Sequence, residues 1–231
     1  MKRIVIQAGH INVKHNSIVE LRNSTGAPQE QEFTLRIANR LSEILRSKGF
    51  EVKQTDANAN DDKTITEKDW GLFLSCHYDA NIYGTGGGFL DFPEPSTDGS
   101  TVESQRIVAA IESEYFKNTG IENKPQRRNA NTKYYYMWKF LSYKTPCAII
   151  ECGVGLDAHD KVILADTDRV CSAIARGICK AFNVQFDVPP PPPQPPTAPP
   201  SDCQATLERI RAVAFGKGFV WSRMNKIKEL L

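Results

Sequence analysis

Two histidines and one glutamate follow apolar runs at three places in the chain, and these residue types together can hold a catalytic metal. His10 ends the segment Gln-Ala-Gly-His, His77 lies in Leu-Ser-Cys-His-Tyr-Asp, and Glu151 lies in Ala-Ile-Ile-Glu-Cys-Gly. Two imidazoles and one carboxylate, with a fourth position left to water, form a recurrent ligand set of catalytic zinc. A carboxylate after a buried run is costly unless it meets a metal, a cation or a proton-transfer task. The three positions therefore indicate a zinc site in which Glu151 is a ligand or a base.

Two further glutamates, Glu30 and Glu32, open the first predicted helix and are candidates for a third ligand. They should lie near the same edge of the sheet, because this helix has to return from the first strand. Acidic side chains in the first turn of a helix also favour the helix dipole without any metal. At this point both interpretations of Glu30 stay open.

The elements that would position these side chains follow from the hydrophobic pattern. Apolar or alternating runs predict strands at residues 2–7, 50–54, 70–76 and 147–152, and helical spacing predicts helices at residues 30–48, 102–116 and 167–182. The first of these helices should end at Gly49. Strands that alternate with helices predict an α/β fold, an open, mostly parallel twisted sheet with helices on both faces. Ligands of such sheets bind at the carboxyl ends of the strands, which would bring His10, His77 and Glu151 into one crevice.

A proline-rich segment at residues 188–201 divides the chain into two parts. Its prolines have no backbone N–H to donate to a helix or sheet, so the segment should extend as a semi-rigid polyproline II spacer. Residues 1–187 before it are predicted to form the catalytic domain. Residues 202–231 after it are predicted to form two short amphipathic helices joined by a glycine turn, a hairpin too small to bury its own apolar face. This tail is expected to form a homo-oligomer, to dock on the catalytic domain or to anchor the protein.

Composition excludes some classes of partner and says little about others. Lys and Arg number 29 and Asp and Glu number 27, so the net charge of +2 favours neither nucleic acid nor an anionic membrane as a partner. No segment approaches the roughly 18 apolar residues of a transmembrane helix, and the N-terminus lacks the apolar core of a secretory signal. The cysteines lack metal-knuckle spacing and are expected to be mostly buried thiols. Cys76 and Cys152 adjoin His77 and Glu151, which leaves a redox or nucleophilic role open.

Four motifs occur in order along the chain. They are Gly9-His10, Glu30-Gln-Glu-Phe-Thr-Leu-Arg-Ile-Ala, Ser75-Cys-His77-Tyr-Asp-Ala and Thr145-Pro-Cys-Ala-Ile-Ile-Glu151-Cys-Gly. Together they resemble the zinc-dependent N-acetylmuramoyl-L-alanine amidases of the type 3 class, which occur in bacterial autolysins and phage endolysins. The resemblance implies that His10, Glu30 and His77 bind zinc and that Glu151 is the general base and acid. It also implies peptidoglycan as the substrate and the amide bond between N-acetylmuramic acid and L-alanine as the bond that is cut.

The chain departs from this family pattern at several positions. The family usually has Asp two residues before the Gly-His pair and Gly after it, whereas this chain has Gln7 and Ile11-Asn12. Without this Asp, the sequence does not show which group would hydrogen-bond to His10 and orient its ring. Asp79 stands where Asn is usual, and it is expected either to bind substrate or to support the loop in an Asx turn.

Other residues near the predicted site have weaker signals. Arg128 and Asn129 lie in a polar segment where the family tends to carry substrate-facing residues, and ordinary solvated polar groups are the alternative. Residues 84–88, Gly-Thr-Gly-Gly-Gly, lack the lysine of a phosphate-binding loop and are expected to form a flexible rim.

Two other functions compete with the amidase within the sequence evidence. One is a non-catalytic peptidoglycan-binding module on the same scaffold, and the other is a zinc peptidase that cuts within the stem peptide. Within the amidase interpretation, the absence of an export signal favours a phage endolysin over a bacterial autolysin. We therefore expect synthesis in the host bacterial cytoplasm and action at the cell wall.

Overall fold

A computed structural model describes residues 2–14, 17–21, 27, 29–55, 68–79, 84–94, 99–128, 137–138 and 141–187. Residues Met1–Phe186 form one compact unit. The predicted proline-rich spacer and tail helices lie outside the described residues, as does Asn129. Within the part of the chain that the structure describes, no helix has both the length and the apolar character needed to cross a membrane.

The described elements alternate between strands and helices. In chain order they are β1 (Arg3–Ala8), β2 (Ile11–Lys14), β3 (Ser17–Leu21), α1 (Glu30–Ser47), β4 (Glu51–Thr55), β5 (Leu72–Asp79), β6 (Phe89–Asp91), α2 (Gly99–Thr119), a 3₁₀ turn (Pro125–Arg127), β7 (Cys147–Val154), α3 (Ala158–Ala165) and α4 (Thr167–Ala181). Each predicted strand and helix of the catalytic part is present, with its ends shifted by at most three residues. The sequence analysis did not predict β2, β3, β6 or α3.

The main sheet confirms the predicted fold class. Its five described strands follow the order β4-β1-β5-β7-β6, in which β4, β1, β5 and β7 are parallel and β6 joins β7 in the antiparallel direction. An antiparallel edge strand on an otherwise parallel sheet is common in large α/β folds. Strands β2 and β3 pair separately as an antiparallel hairpin directly after His10.

Side chains along each strand point alternately to the two faces of the sheet, and each face packs into its own buried cluster. One set of side chains belongs to the core cluster that also contains the buried faces of α1, α2 and α4; from the sheet it includes Ile4, Ile6, Leu72, Leu74, Ala148 and Ile150. The intervening residues on the opposite face, Val5, Phe73, Cys147 and Ile149, pack with Met137, Trp138 and Leu141. The long helices therefore cover one face of the sheet, and a segment that includes the helical residues 137–138 covers the other face. The same alternation assigns Gln7, His77 and Glu151 to this second face.

Helix α1 begins and ends through identifiable caps. Gln29 adopts the left-handed conformation with φ 66° and makes no side-chain cap, but Glu30 reaches back and accepts a hydrogen bond from the Ala27 amide at 2.8 Å. The helix ends at Ser47, and Gly49 follows with φ 84°, which confirms the predicted glycine stop. The cap fixes the Glu30 carboxylate at the edge where the strands end.

Candidate metal and catalytic site

His10, Glu30 and His77 converge at the carboxyl ends of β1 and β5. Glu30 Oε1 lies 3.3 Å from His10 Nε2 and 3.0 Å from His77 Nδ1. One ligand atom from each residue lies within 4.8 Å of the other two. Donors bound to one tetrahedral zinc at about 2.0–2.2 Å lie roughly 3.3–3.6 Å apart. The 3.3 Å separation from His10 lies at the lower end of this range, and the 3.0 Å separation from His77 would have to lengthen slightly when an ion binds. The donor set, two imidazoles and a carboxylate, also suits zinc.

The turn that carries His10 depends on a glycine. A Cβ atom on Gly9 would lie 2.3 Å from Cε1 of His77, so any side chain at this position would displace the second imidazole. The turn is held by the Gly9 amide, which donates to the Cys76 carbonyl at 2.9 Å, and by Thr34 Oγ1, which donates to the Gly9 carbonyl at 2.8 Å. His10 itself has φ 59°, a conformation uncommon for residues other than glycine. The two imidazole rings meet edge to face with their centroids 4.9 Å apart.

Glu30 is almost fully buried and remains ionised. Its exposure is 2 %. Burial is the largest single influence and raises the pKa of this carboxyl, but the hydrogen bonds and electrostatic interactions with His10 and His77 together outweigh it and lower the pKa to about 2. A metal ligand must be deprotonated, and this environment keeps Glu30 in that state. Glu32, two residues later, is exposed and lies outside the convergent group.

Glu151 lies opposite His77 in the register of β5 and β7. Its Oε2 atom is buried and has no hydrogen-bond partner among the residues that the structure describes. Burial raises the pKa of Glu151 well above its ordinary value, and the negative charges of Glu30, Asp79 and Asp91 raise it further. A buried polar atom without a partner requires a role, and a carboxyl with a raised pKa is suited to proton transfer.

Comparison with known proteins places this geometry in a family. The family model described as N-acetylmuramoyl-L-alanine amidase matches residues 4–183. The chain belongs to this amidase family. The match spans every proposed site residue, from His10 to Glu151. A search of curated proteins gives no match.

Solved structures of amidases share the fold. AmiC2 of Nostoc punctiforme has a TM-score of 0.56 at 18% identity, over 79% of this chain and 97% of that chain. The catalytic domain of CwlV from Bacillus (Paenibacillus) polymyxa var. colistinus has a TM-score of 0.55 at 21% identity, over 80% and 100%. Ami1 from Mycobacterium smegmatis has a TM-score of 0.58 at 16% identity, over 80% and 98%. At these identities the likeness concerns the fold alone.

Two aspartates lie close to the glutamates of the amidase site. Asp79 is the last residue of β5, and its main-chain carbonyl accepts a hydrogen bond from the Gly155 amide at 3.4 Å. Asp91 ends the edge strand β6, is 5 % exposed and accepts a hydrogen bond from the Phe92 amide at 2.9 Å. The sequence analysis missed Asp91 because three residues of strand give no recognisable alternation. Its only sequence signal is a carboxylate directly after two apolar residues.

Arg128 lies outside the convergent group and is anchored inside the protein. Its guanidinium donates to the Leu90 carbonyl at 2.7 Å, pairs with Glu112 at 2.5 Å and lies 4.7 Å from the centroid of the Phe92 ring. These contacts attach the segment after the 3₁₀ turn to β6 and α2. They favour a positioning role for Arg128 over the predicted contact with substrate.

The glycine-rich segment, predicted as a flexible rim, is held by two buried side chains. Arg127 donates to the carbonyls of Thr85, Gly86 and Gly87 at 2.9–3.1 Å. Asp160 accepts from the Gly87 amide at 2.6 Å. Neither partner is close in sequence, which is why the residues of the segment alone suggested a loose loop.

A second group of side chains that could hold a metal consists of Asp157, His159 and Asp160. Its carboxylates make hydrogen bonds that stabilise the fold. Asp157 Oδ1 accepts the His159 and Asp160 amides at 3.0 Å and so caps α3. Asp160 Oδ2 accepts the Gly87 and Val154 amides at 2.6 and 3.0 Å. One oxygen of each carboxylate therefore accepts two backbone amides, which gives this group a structural role.

The described cysteines confirm the prediction of buried thiols. They are Cys76, Cys147, Cys152, Cys171 and Cys179, all free and buried, whereas Cys203 lies outside the described residues. Burial raises the pKa of each of these thiols. A thiol held in its neutral form is a weak nucleophile, which disfavours the catalytic role left open for Cys76 and Cys152.

Proposed function

We propose that this chain is a zinc-dependent peptidoglycan hydrolase that cuts the amide bond between N-acetylmuramic acid and L-alanine. The observation that carries the proposal is the convergence of His10, Glu30 and His77 beside a buried, unpartnered oxygen of Glu151. Family membership supports the type of reaction. A module that only binds peptidoglycan has no use for such a carboxylate, because its burial costs free energy without a catalytic return.

The proposed metal ligands are His10 Nε2, Glu30 Oε1 and His77 Nδ1, the atoms that face one another in the structure. When bound, zinc supplies a Lewis acid that polarises a carbonyl group and lowers the pKa of a water molecule to about 7. The protein supplies a buried, largely preformed arrangement of ligands. Little rearrangement of the backbone is then needed when the ion binds.

Glu151 is the proposed general base and general acid. Its unpartnered oxygen takes the proton from the attacking water and then delivers it to the departing nitrogen of alanine. The second transfer is required because an amine anion is a poor leaving group. A raised pKa suits a carboxyl that must hold the proton between the two steps.

Metal analysis and product identification test this proposal together. We expect one zinc per chain, loss of wall digestion on chelation, and products in which intact stem peptides carry a new amino terminus on L-alanine. Mass spectrometry of fragments released from purified peptidoglycan reads the position of the cut. A cut within the stem peptide would identify a peptidase, and binding without any cut would identify a non-catalytic module.

We also propose that residues 1–187 carry the whole activity, with residues 188–201 as a spacer and residues 202–231 as an oligomerising, docking or wall-anchoring tail. All proposed site residues precede the spacer, and Met1–Phe186 is one compact unit. A chain that ends at Asp187 should therefore keep its zinc and its full turnover of soluble muropeptides. The full-length chain is the control for both measurements. A folded but inactive truncated chain would contradict this division.

The endolysin role stays a prediction about biological setting. An endolysin and an autolysin cut the same bond, so the active site does not separate them. Peptidoglycan is the proposed partner in either case, and the homo-oligomer predicted for the tail is open to direct mass measurement.

A further inference from the structure

A chain of hydrogen bonds links the backbone of β1 to the far side of the His77 ring. The Gln7 amide nitrogen donates to the Ala8 carbonyl at 2.5 Å, and the Gln7 oxygen accepts from the Ser75 hydroxyl. Ser75 Oγ in turn lies 2.9 Å from His77 Nε2. Gln7 and Ser75 are 1 % and 0 % exposed, so water does not compete for these bonds. Gln7 and Ser75 are partners in the parallel register of β1 and β5, which places their side chains together.

The direction of each bond in this chain is determined by its neighbour. The Ala8 carbonyl can only accept, so the Gln7 NH₂ group must face it and the Gln7 oxygen must face Ser75. That oxygen can only accept, so the Ser75 hydroxyl hydrogen points towards Gln7. The Ser75 oxygen is then left as an acceptor towards His77, and Nε2 of the ring must carry a hydrogen.

This ordering directs the other ring nitrogen, Nδ1, towards Glu30. Nδ1 lies 3.0 Å from Glu30 Oε1, and His10 Nε2 lies 3.3 Å from the same oxygen. The contact between Nδ1 and Oε1 has the length of a hydrogen bond, and a metal bound between these two atoms would take the place of the hydrogen. The hydrogen-bond chain thus prepares His77 for a metal.

We infer that Gln7 and Ser75 are positioning residues that hold His77 in the Nε2–H tautomer and present Nδ1 to the metal. The inference rests on the proposed function for the identity of the ion, and the tautomer concerned is that of the zinc-loaded protein. Neither residue touches the proposed ion. Both act through the ring of His77, as outer-shell partners of metal ligands generally do.

Glutamine suits this position because it accepts and donates without adding a charge. The site already holds the carboxyl groups of Glu30, Asp79, Asp91 and Glu151, whose negative charges act on one another. A further buried carboxylate in place of Gln7 would add to this repulsion and would also face the Ala8 carbonyl. The departure from the Asp of the family pattern therefore keeps the acceptor for Ser75 and gains a donor for the backbone.

The decisive experiment measures the tautomer and the metal affinity of the full-length chain in parallel. Long-range ¹H–¹⁵N spectra of the zinc-loaded protein report which nitrogen of His77 binds the ion and which carries the hydrogen. Competition with a chelator gives the Kd for zinc. Ser75→Ala should abolish the preference for Nε2–H and weaken zinc binding by roughly 10–100-fold, the usual range for an outer-shell partner.

Matched variants separate this role from a general packing defect. Ser42→Ala removes another fully buried hydroxyl on α1, one that donates to Ala38, and should leave both readouts unchanged. Gln7→Met keeps the size of the side chain but removes the acceptor, and should behave like Ser75→Ala. Gln7→Glu keeps an acceptor for Ser75 in either protonation state, so it should show the same tautomer of His77 as the wild type.

Each outcome decides between the inference and its alternatives. An unchanged tautomer in Ser75→Ala, or a loss of zinc affinity no larger than in Ser42→Ala, would overturn the inference. If Gln7→Glu and Gln7→Met gave the same tautomer and the same zinc affinity, Gln7 would have no positioning role. A wild-type protein that binds zinc through Nδ1 of His77 but cuts no amide bond would support the inference and overturn the proposed function instead.

Discussion

Glu151→Gln should retain zinc and lose turnover by a factor of about 10²–10⁴, the usual contribution of general acid-base catalysis. Glutamine preserves the shape of the side chain and one hydrogen-bonding oxygen, but it removes the basic oxygen that is buried without a partner in the structure. The proposed ligands are His10, Glu30 and His77, so the metal should stay. Zinc content per chain and the rate of amide cleavage on soluble muropeptides measure the two functions separately.

A glutamate away from the site provides the control for this substitution. Glu103→Gln on α2 changes an exposed carboxylate that pairs with Arg106, and it should alter neither zinc content nor turnover. Loss of zinc in Glu151→Gln would make Glu151 a ligand and would move the search for the base to Glu30, Glu32 and Asp79. Retention of zinc together with near-normal turnover would contradict the proposed mechanism while leaving the family assignment in place.

The parts of the fold that the sequence predicted are those with long, regular patterns. Helix α1 repeats its buried residues at helical spacing, and β5 and β7 are apolar runs of a length that suits buried parallel strands. The missed elements have no such repeat. Strand β6 spans only Phe89–Asp91, and α3 spans only Ala158–Ala165. Their positions depend on partners far away in the chain, such as β7, and a local pattern does not contain that information.

The sequence was sufficient to predict which residue types form the candidate site and at which strand ends they lie. Alternation and the rule for parallel sheets predicted that His10, His77 and Glu151 would lie at one edge, and the structure brings these elements together there. The hydrogen-bond chain through Gln7 and Ser75 was not predictable, because it depends on the register between β1 and β5. The ion pair between Arg128 and Glu112 was not predictable either, because α2 and the residue after the 3₁₀ turn come together only in the folded chain.

The two interpretations that the sequence left open for Glu30 are compatible in the structure. One carboxylate oxygen, Oε2, caps the helix start through the Ala27 amide, and the other, Oε1, faces both imidazoles. The helix therefore orients the proposed ligand instead of competing with it. Glu32, two residues further along the helix, is exposed to solvent and lies outside the group formed by Glu30 and the two imidazoles.

Glu30→Ala should lose zinc almost completely, whereas Glu32→Ala should bind zinc like the wild type. Glu30 is one of three proposed ligands, and its removal should weaken binding by more than the roughly 10–100-fold typical of an outer-shell change. Glu32 is the matched control, because it is the same residue type in the same helical turn but exposed. Chelator competition on the purified full-length chains gives both affinities on one scale.

A third variant separates loss of the ligand from loss of the helix cap. Glu30→Ala also removes the acceptor of the buried Ala27 amide, which should lower the free energy of unfolding by about 1–3 kcal/mol. Glu30→Gln keeps an oxygen for that amide but removes the charge, so its thermal midpoint should stay near that of the wild type while zinc binding is still severely weakened. If Glu30→Gln binds zinc normally and Glu32→Ala does not, the ligand is Glu32 and the geometry proposed for the metal is wrong.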